Sequence, residues 1–195
     1  MPTQRHHGLL IVLCGPSGVG KSTISRQLAE RSDVSYTVSA TTRPKKEKDD
    51  EGKTYEHIAQ DEFFRRLDGD EFLEYAHVYG HYYGTPKHPA LDLLEAGKDV
   101  LLEIDVQGAL QVRYQYPDAL MLFILPPNEH TLLQRLNDRG RDDADDISKR
   151  FRAAKREIHM AKGSHAFDYM VINDNLDRAV EEIAKIIKHK RSGGI

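Results

Sequence analysis

Cysteine is almost missing from this chain. Cys14 stands alone among 195 residues, so no internal disulfide can form and a reducing, cytoplasmic setting is expected. No apolar run approaches the roughly 18 residues that a membrane span needs. Residues 1–7 lack the apolar core of a secretory signal, so neither a membrane partner nor export is expected. An excess of basic charge is also missing. The net charge of −3 gives no general attraction for nucleic acid. The ten histidines are scattered without metal-ligand spacing, which argues against a zinc site. No internal repeat is present. What remains is an ordinary soluble composition, 39% hydrophobic and 30% charged, long enough for one α/β domain with a sizeable core.

Against that plain background one stretch stands out. Gly15-Pro16-Ser17-Gly18-Val19-Gly20-Lys21-Ser22-Thr23 fits the phosphate-loop pattern G-x-x-x-x-G-K-[ST] at every fixed position. The pattern alone arises by chance, so its flanks decide. Gly8 to Cys14 is a continuous apolar run, as in a strand buried on both faces, and Ile24 and Leu28 recur at helical spacing behind the motif. Strand, glycine loop and helix are the order the chemistry requires. Glycines let several N–H groups converge on one anion, and a helix N-terminus adds partial positive charge. Lys21 is expected to reach the β/γ-phosphates of ATP and Ser22 to ligate Mg²⁺. Cys14 reads as a small buried hydrophobe, not a reactive thiol.

Along the rest of the chain, Tyr36 to Ser39 reads as a short strand. Residues 40–55 are polar and charged, either an exposed loop or an anion clamp using Arg43, Lys46 and Tyr55. Asp61 to Leu67 suits a short amphipathic helix, Glu71 to Tyr79 a strand, and Gly80 to Thr85 a turn. Pro89 fits a helix start and Gly97 its end. Val100 to Asp105 is a second buried strand ending in carboxylates, where an acid near Mg²⁺ should lie. Gly108 to Tyr116 reads as a helix and Leu120 to Leu125 as a third buried strand. Asn128 is a candidate N-cap for the helix carrying Leu132, Leu133 and Leu136. Ile147, Phe151, Ala154 and Ile158 mark a long helix. Asp168 to Asn173 gives the last strand, Asp177 to Lys188 the last helix, and 189–195 a frayed tail. Alternating strands and helices predict a parallel sheet covered on both faces. Residues 36–85 and about 135–146 break the alternation and read as insertions that move on the rigid core.

Taken together, these segments resemble guanylate kinases. The motifs that carry the resemblance are Gly15–Thr23, Val38–Pro44, Gly52–Tyr55, Phe72–Ala76, Tyr82–Thr85, Leu102–Ala109, Phe123–Pro127 and Val171–Asp174. They fall in family order across residues 8–188. The resemblance implies a phosphate-loop α/β core (8–35, 86–134 and 147–188), a GMP-binding insertion (36–85) and a short lid (about 135–146). It implies MgATP-dependent phosphorylation of GMP, and of its deoxy form, in purine nucleotide metabolism. By position, Ser39, Glu74, Thr85 and Asp105 match guanine-contacting residues, and Arg43, Lys46, Tyr55 and Tyr83 match ligands of the GMP phosphate. Arg135, Arg139 and Arg150 match arginines around the transferring phosphate. Glu103 lies near the guanine or the metal, with Asp105 a candidate for the metal's outer shell.

One position departs from the family. An arginine is usual three residues after the first, and Lys46 stands there, which keeps charge but loses the bidentate fork. Two other readings compete: a kinase for a different phosphate acceptor, and a guanylate-kinase-like module that binds without catalysis. The expected partners are the small-molecule substrates, with no nucleic acid and no membrane. The implied reaction needs no general base, because a phosphate monoester with a second pKa near 6 is already largely the dianion at neutral pH.

Overall fold

The computed structural model describes residues 8–31, 33–45, 55–138 and 144–193. Its elements in order are β1 (Leu10–Cys14), α1 (Lys21–Arg31), β2 (Val34–Tyr36), β3 (Ala40–Thr41) and β4 (Glu56–His57). There follow α2 (Gln60–Asp68), β5 (Phe72–Val78), β6 (His81–Pro86), α3 (Lys87–Glu95), β7 (Asp99–Glu103) and α4 (Val106–Gln115). The chain closes with β8 (Leu120–Leu125), α5 (Glu129–Asn137), α6 (Ala144–Ser164), β9 (Tyr169–Ile172) and α7 (Leu176–Arg191).

Five strands form one parallel sheet in the order β2-β7-β1-β8-β9. Its central strands are apolar throughout because both faces are covered. Alternation along β1 divides the core. Leu10, Val12 and Cys14 point to the side of α3, α4 and α6, whereas Ile11 and Leu13 point to the side of α1 and α7. Burying one such leucine contributes about 2 kcal/mol. The chain leaves β1 toward β2 on one side and later reaches β8 on the other. The crevice at the C-terminal end of β1 is therefore the switch point at which doubly wound sheets bind ligands.

The remaining strands make a second sheet, β4-β3-β6-β5, with β5 and β6 an antiparallel hairpin. Its small core is Ala40, Phe63 and Phe72, with the two phenylalanine rings stacked at 4.6 Å. Gln111 of α4 ties this sheet to the parallel core. Its amide accepts from the backbone N–H of Tyr75 at 3.2 Å and donates to the Tyr75 carbonyl at 2.6 Å.

Three local expectations are corrected. The strand expected over residues 36–39 ends at Tyr36, and the chain resumes pairing only at Ala40. Residues 81–85 are not a turn but most of β6, with the turn confined to Tyr79 and Gly80. Glycines flanking tyrosines suggested a bend, but pairing with β5 supplies the hydrogen bonds that make the segment extended. The last helix also runs on to Arg191, whose guanidinium meets the buried Asp99 carboxylate at 2.5 Å, so the tail begins later than expected. The expected cap at Asn128 is present, its side chain accepting from the Thr131 N–H at 2.8 Å.

Candidate active site

β1 delivers the phosphate loop to the switch point, and α1 begins at Lys21 directly behind it. Gly18 and Gly20 have φ of 88° and 100°, a region other residues avoid. A Cβ on Gly20 would also come within 2.6 Å of the Asn173 amide, and one on Gly18 within 2.9 Å of Leu136. The loop is thus shaped by close packing as well as by its own conformation. Lys21 Nζ donates to the carbonyls of Gly15 and Pro16, so the ammonium rests over the loop it would serve.

Behind the loop, Asn173 Nδ2 donates to the Val19 carbonyl at 2.8 Å. Arg135 donates to the Asn173 carbonyl at 3.0 Å and to Val19 at 3.4 Å. Sequence reasoning placed Arg135 among the lid arginines. In the structure it braces the phosphate loop against the end of β9. Asn173 was part of a matched motif but was given no role, and its buried Oδ1 has no partner.

The ends of the neighbouring strands carry acids into the same place. Ser22 Oγ donates to Glu103 Oε1 at 2.8 Å, joining the first turn of α1 to the end of β7. A hydroxyl beside a carboxylate is a hard-oxygen pair of the kind Mg²⁺ accepts. Asp105, two residues on, is turned elsewhere. Its Oδ1 caps α4 by accepting from the Gly108 N–H at 2.9 Å, and its Oδ2 is buried without a partner. Burial pushes the Asp105 carboxyl above the ordinary aspartate range, while the N–H groups at the start of α4 and the Lys21 charge pull it partly back. Glu157 on α6 behaves similarly. Burial raises it, Lys21 lowers it and Asp105 raises it further, so all three charges share one environment. Glu157 was not anticipated; the only signal is a carboxylate on the same helix face as Ala154 and Ala161. Among the described residues, no group of three or more His, Cys, Asp or Glu forms a ready metal cage. The Cys14 thiol is fully buried and pushed far up by that burial, which agrees with an inert core role.

Because Asn caps helices as well as Asp does, Asp105→Asn should keep the α4 cap while removing an unpaired buried charge. We expect the melting temperature at neutral pH to rise by about 2–4 °C, as ~1 kcal/mol gives in a chain of this size, and catalytic efficiency to fall. A calorimetric scan showing a lower midpoint would mean that the carboxylate also stabilises the fold.

The second sheet supplies the other half. Glu74 on β5 is buried and accepts from Thr85 Oγ1 at 2.6 Å. A Cβ placed on Gly108 would lie 2.0 Å from Glu74 Oε2, so only glycine in the first turn of α4 lets that carboxylate approach the helix N-terminus. Glu74, Thr85 and Asp105 therefore converge across the joint between the two sheets. Gly108→Ala should favour α4 by about 1 kcal/mol in propensity yet displace the carboxylate. We expect an acceptor KM raised about 10- to 100-fold with the ATP KM unchanged, read by steady-state kinetics.

Further along, Arg43 lies 5.8 Å from the Tyr55 ring centroid, and the Tyr55 and Tyr83 rings meet edge-on at 5.8 Å. Burial raises the Tyr83 hydroxyl, and the Arg43 charge offsets part of that. Ser39 is buried at the end of the segment before β3. Lys46 and Arg139 lie outside the described residues, as does the middle of the expected lid, 139–143, while its ends belong to α5 and α6. Arg150 is on α6, over the Tyr79 ring at the tip of the β5–β6 hairpin. A groove at the opposite end of the parallel sheet, lined by residues such as Lys98, Asp99 and Arg191, is far from this chemistry. Asp99 there is already satisfied by Arg191 and the Leu9 N–H.

A phosphate loop at the switch point, an acid-lined crevice beside it and a second sheet facing that crevice define a nucleotide kinase of the phosphate-loop class. The model of the family described as "Guanylate kinase" matches residues 7–190. The guanylate kinase of Caldanaerobacter subterraneus subsp. tengcongensis is 46% identical over 184 residues, 94% of this chain and 88% of its own. That of Symbiobacterium thermophilum is 44% identical over 186 residues, 95% and 87% of the two chains. The crystal structure of guanylate kinase from Anaplasma phagocytophilum superposes with a TM-score of 0.79 at 28% identity, covering 96% of this chain and 88% of that one. The chain belongs to the guanylate kinase family.

Proposed function

We propose that this chain transfers the γ-phosphoryl group of MgATP to GMP, and to its 2′-deoxy form, giving ADP and the nucleoside diphosphate. The observation that carries the acceptor assignment is Glu74, a buried carboxylate held by Thr85 and fitted against Gly108 beside the phosphate-loop crevice. Guanine presents N1–H and an exocyclic amine on one edge, and a carboxylate can accept both. Ser39, Thr85 and Asp105 complete the base site. Adenine lacks that donor pair and would leave a desolvated carboxylate unpaired, a mismatch that can cost about 10⁴-fold in specificity.

Arg43, Tyr55 and Tyr83 hold the acceptor phosphate, with Lys46 as a further cation. That phosphate is its own nucleophile, so the residues need only align it and neutralise charge. Gly15 to Thr23 wrap the ATP phosphates, with Lys21 turning from the loop carbonyls to the β/γ-oxygens. Ser22 and Glu103 would hold Mg²⁺, which supplies charge neutralisation between the phosphates. Arg150 and Arg139 approach the transferring group, and Arg135 keeps the loop in register with β9. Residues 36–85 act as the acceptor-binding part and about 135–146 as a lid whose closure excludes water. A cytoplasmic setting fits a nucleotide substrate and a buried, unreactive thiol. Among the described residues no helix is long and apolar enough to cross a membrane.

The test is ADP formation by the purified protein with MgATP and GMP, AMP, CMP, UMP or no acceptor. ADP formed only with GMP supports the reading. ADP formed with another acceptor keeps the phosphate loop and discards the guanine site. Bound GMP without ADP turns the assignment to a non-catalytic binding module.

A further inference from the structure

The β5–β6 hairpin turns on two residues, Tyr79 and Gly80, between the paired Val78 and His81. Their φ values are 50° and 82°, the type I′ arrangement that favours Asn, Asp or Gly at the first position. A tyrosine there is unfavourable, since bulky side chains resist the left-handed region. Core burial does not account for it, because 49% of its surface is exposed. What the ring meets is an arginine from another part of the molecule. The Arg150 guanidinium carbon lies 5.5 Å from the ring centroid, within cation–π range. The hairpin belongs to the acceptor-side sheet, whereas Arg150 is carried by α6, which packs on α5 and on the parallel core. The contact therefore adds a link at the hairpin tip between two bodies that also meet through α3 and α4.

We propose that Tyr79 is a positioning residue for Arg150: its ring holds the guanidinium at the hairpin tip and couples the position of the acceptor-side sheet to an arginine of the transferring phosphate. The proposal rests on the role given to Arg150 above. It predicts that acceptor-side movement carries a donor-side charge with it. The ring face, not the hydroxyl or the turn, is what matters.

Tyr79→Phe keeps the face, Tyr79→Leu keeps bulk without it, and Tyr79→Asn relieves the turn while removing the ring. Steady-state kinetics with GMP and MgATP should show kcat unchanged in Tyr79→Phe and lowered about fivefold in both Leu and Asn variants, with both KM values within about twofold of wild type. In an Arg150→Ala background, Tyr79→Leu should lower kcat no further. Equal kcat for Phe and Leu, full kcat in Tyr79→Asn, or the same loss with and without Arg150 would each overturn the proposal. Those results leave the reading of Arg150 standing provided Arg150→Ala alone slows turnover. An unchanged kcat in Arg150→Ala removes that reading, and this proposal with it. Thermal midpoints close to wild type in the Phe and Asn variants confirm that folded protein is being compared.

Discussion

Replacing Lys21 by alanine should lower turnover at least about 10³-fold and leave the fold in place. Lys21 is the first residue of α1 and contributes nothing to either core cluster. Alanine is the better helix former, so the helix start is not endangered. The ammonium's hydrogen bonds go to Gly15 and Pro16 carbonyls of the loop. Its charge also moderates Asp105 and Glu157, both raised by burial. Removing it leaves two acids facing the incoming triphosphate with no cation between them, so electrostatic loss falls on substrate and transition state together. We expect the melting temperature to stay within about 2–4 °C of wild type, while ADP formation drops to near the background rate. Near-normal turnover in a folded Lys21→Ala protein would remove the phosphate-loop assignment altogether.

The parts of this architecture that were legible in the sequence are those with local causes. The phosphate loop needs glycines at fixed spacing before a lysine, so Gly15, Gly20 and Lys21 announce it. The buried parallel strands need apolar residues on both faces, so β1, β7 and β8 show as continuous runs. Asn128 shows as a cap because capping acts over three residues. What escaped depends on partners distant in sequence. β6 reads as a turn until β5 pairs with it. Asn173 means little until the fold lays it under Val19, 154 positions away in the chain. Gly108 looks like an ordinary glycine near a helix start, and only the approach of Glu74 explains it. Ser22 choosing Glu103 over Asp105 could not be read either, because the two acids are two residues apart and differ in what α4 asks of them.

This division has a structural consequence. Asp105 Oδ1 caps α4, which leaves Oδ2 as the oxygen that can meet a further group. The start of that helix fixes its orientation. Glu103, the last residue of β7, accepts from Ser22 at 2.8 Å and from the Tyr36 hydroxyl at 3.5 Å. The first turn of α4 thus lies between Glu103, which meets the phosphate loop, and Glu74, which packs against Gly108; on the proposed reading these are the donor and acceptor sides. The same helix, through Gln111, anchors the acceptor-side sheet. With α3, which leads out of β6 and packs on β7, this helix joins the two sheets.

The acceptor side should yield the other large effect. Glu74→Gln is expected to lower kcat/KM for GMP by about 10³-fold, mainly through KM, with the ATP KM unchanged. The substitution keeps the shape and keeps an oxygen for the Thr85 hydroxyl, which now meets Oε1 at 2.6 Å. It loses the charge and turns one acceptor into a donor. Each carboxylate oxygen can accept more than one hydrogen bond, so the Thr85 bond to Oε1 still leaves Glu74 able to receive both guanine donors. An amide in the same place presents N–H to N–H, and a buried mismatched donor costs about 1–3 kcal/mol by itself before the lost charge is counted. Discrimination should shrink with it, since adenine no longer leaves a desolvated anion stranded. Measuring kcat/KM for GMP and AMP side by side gives the answer. A Gln variant that uses GMP within about threefold of wild type would place the base site away from Glu74, whereas a fall for GMP with AMP unchanged or improved fixes Glu74 as the residue that reads the base.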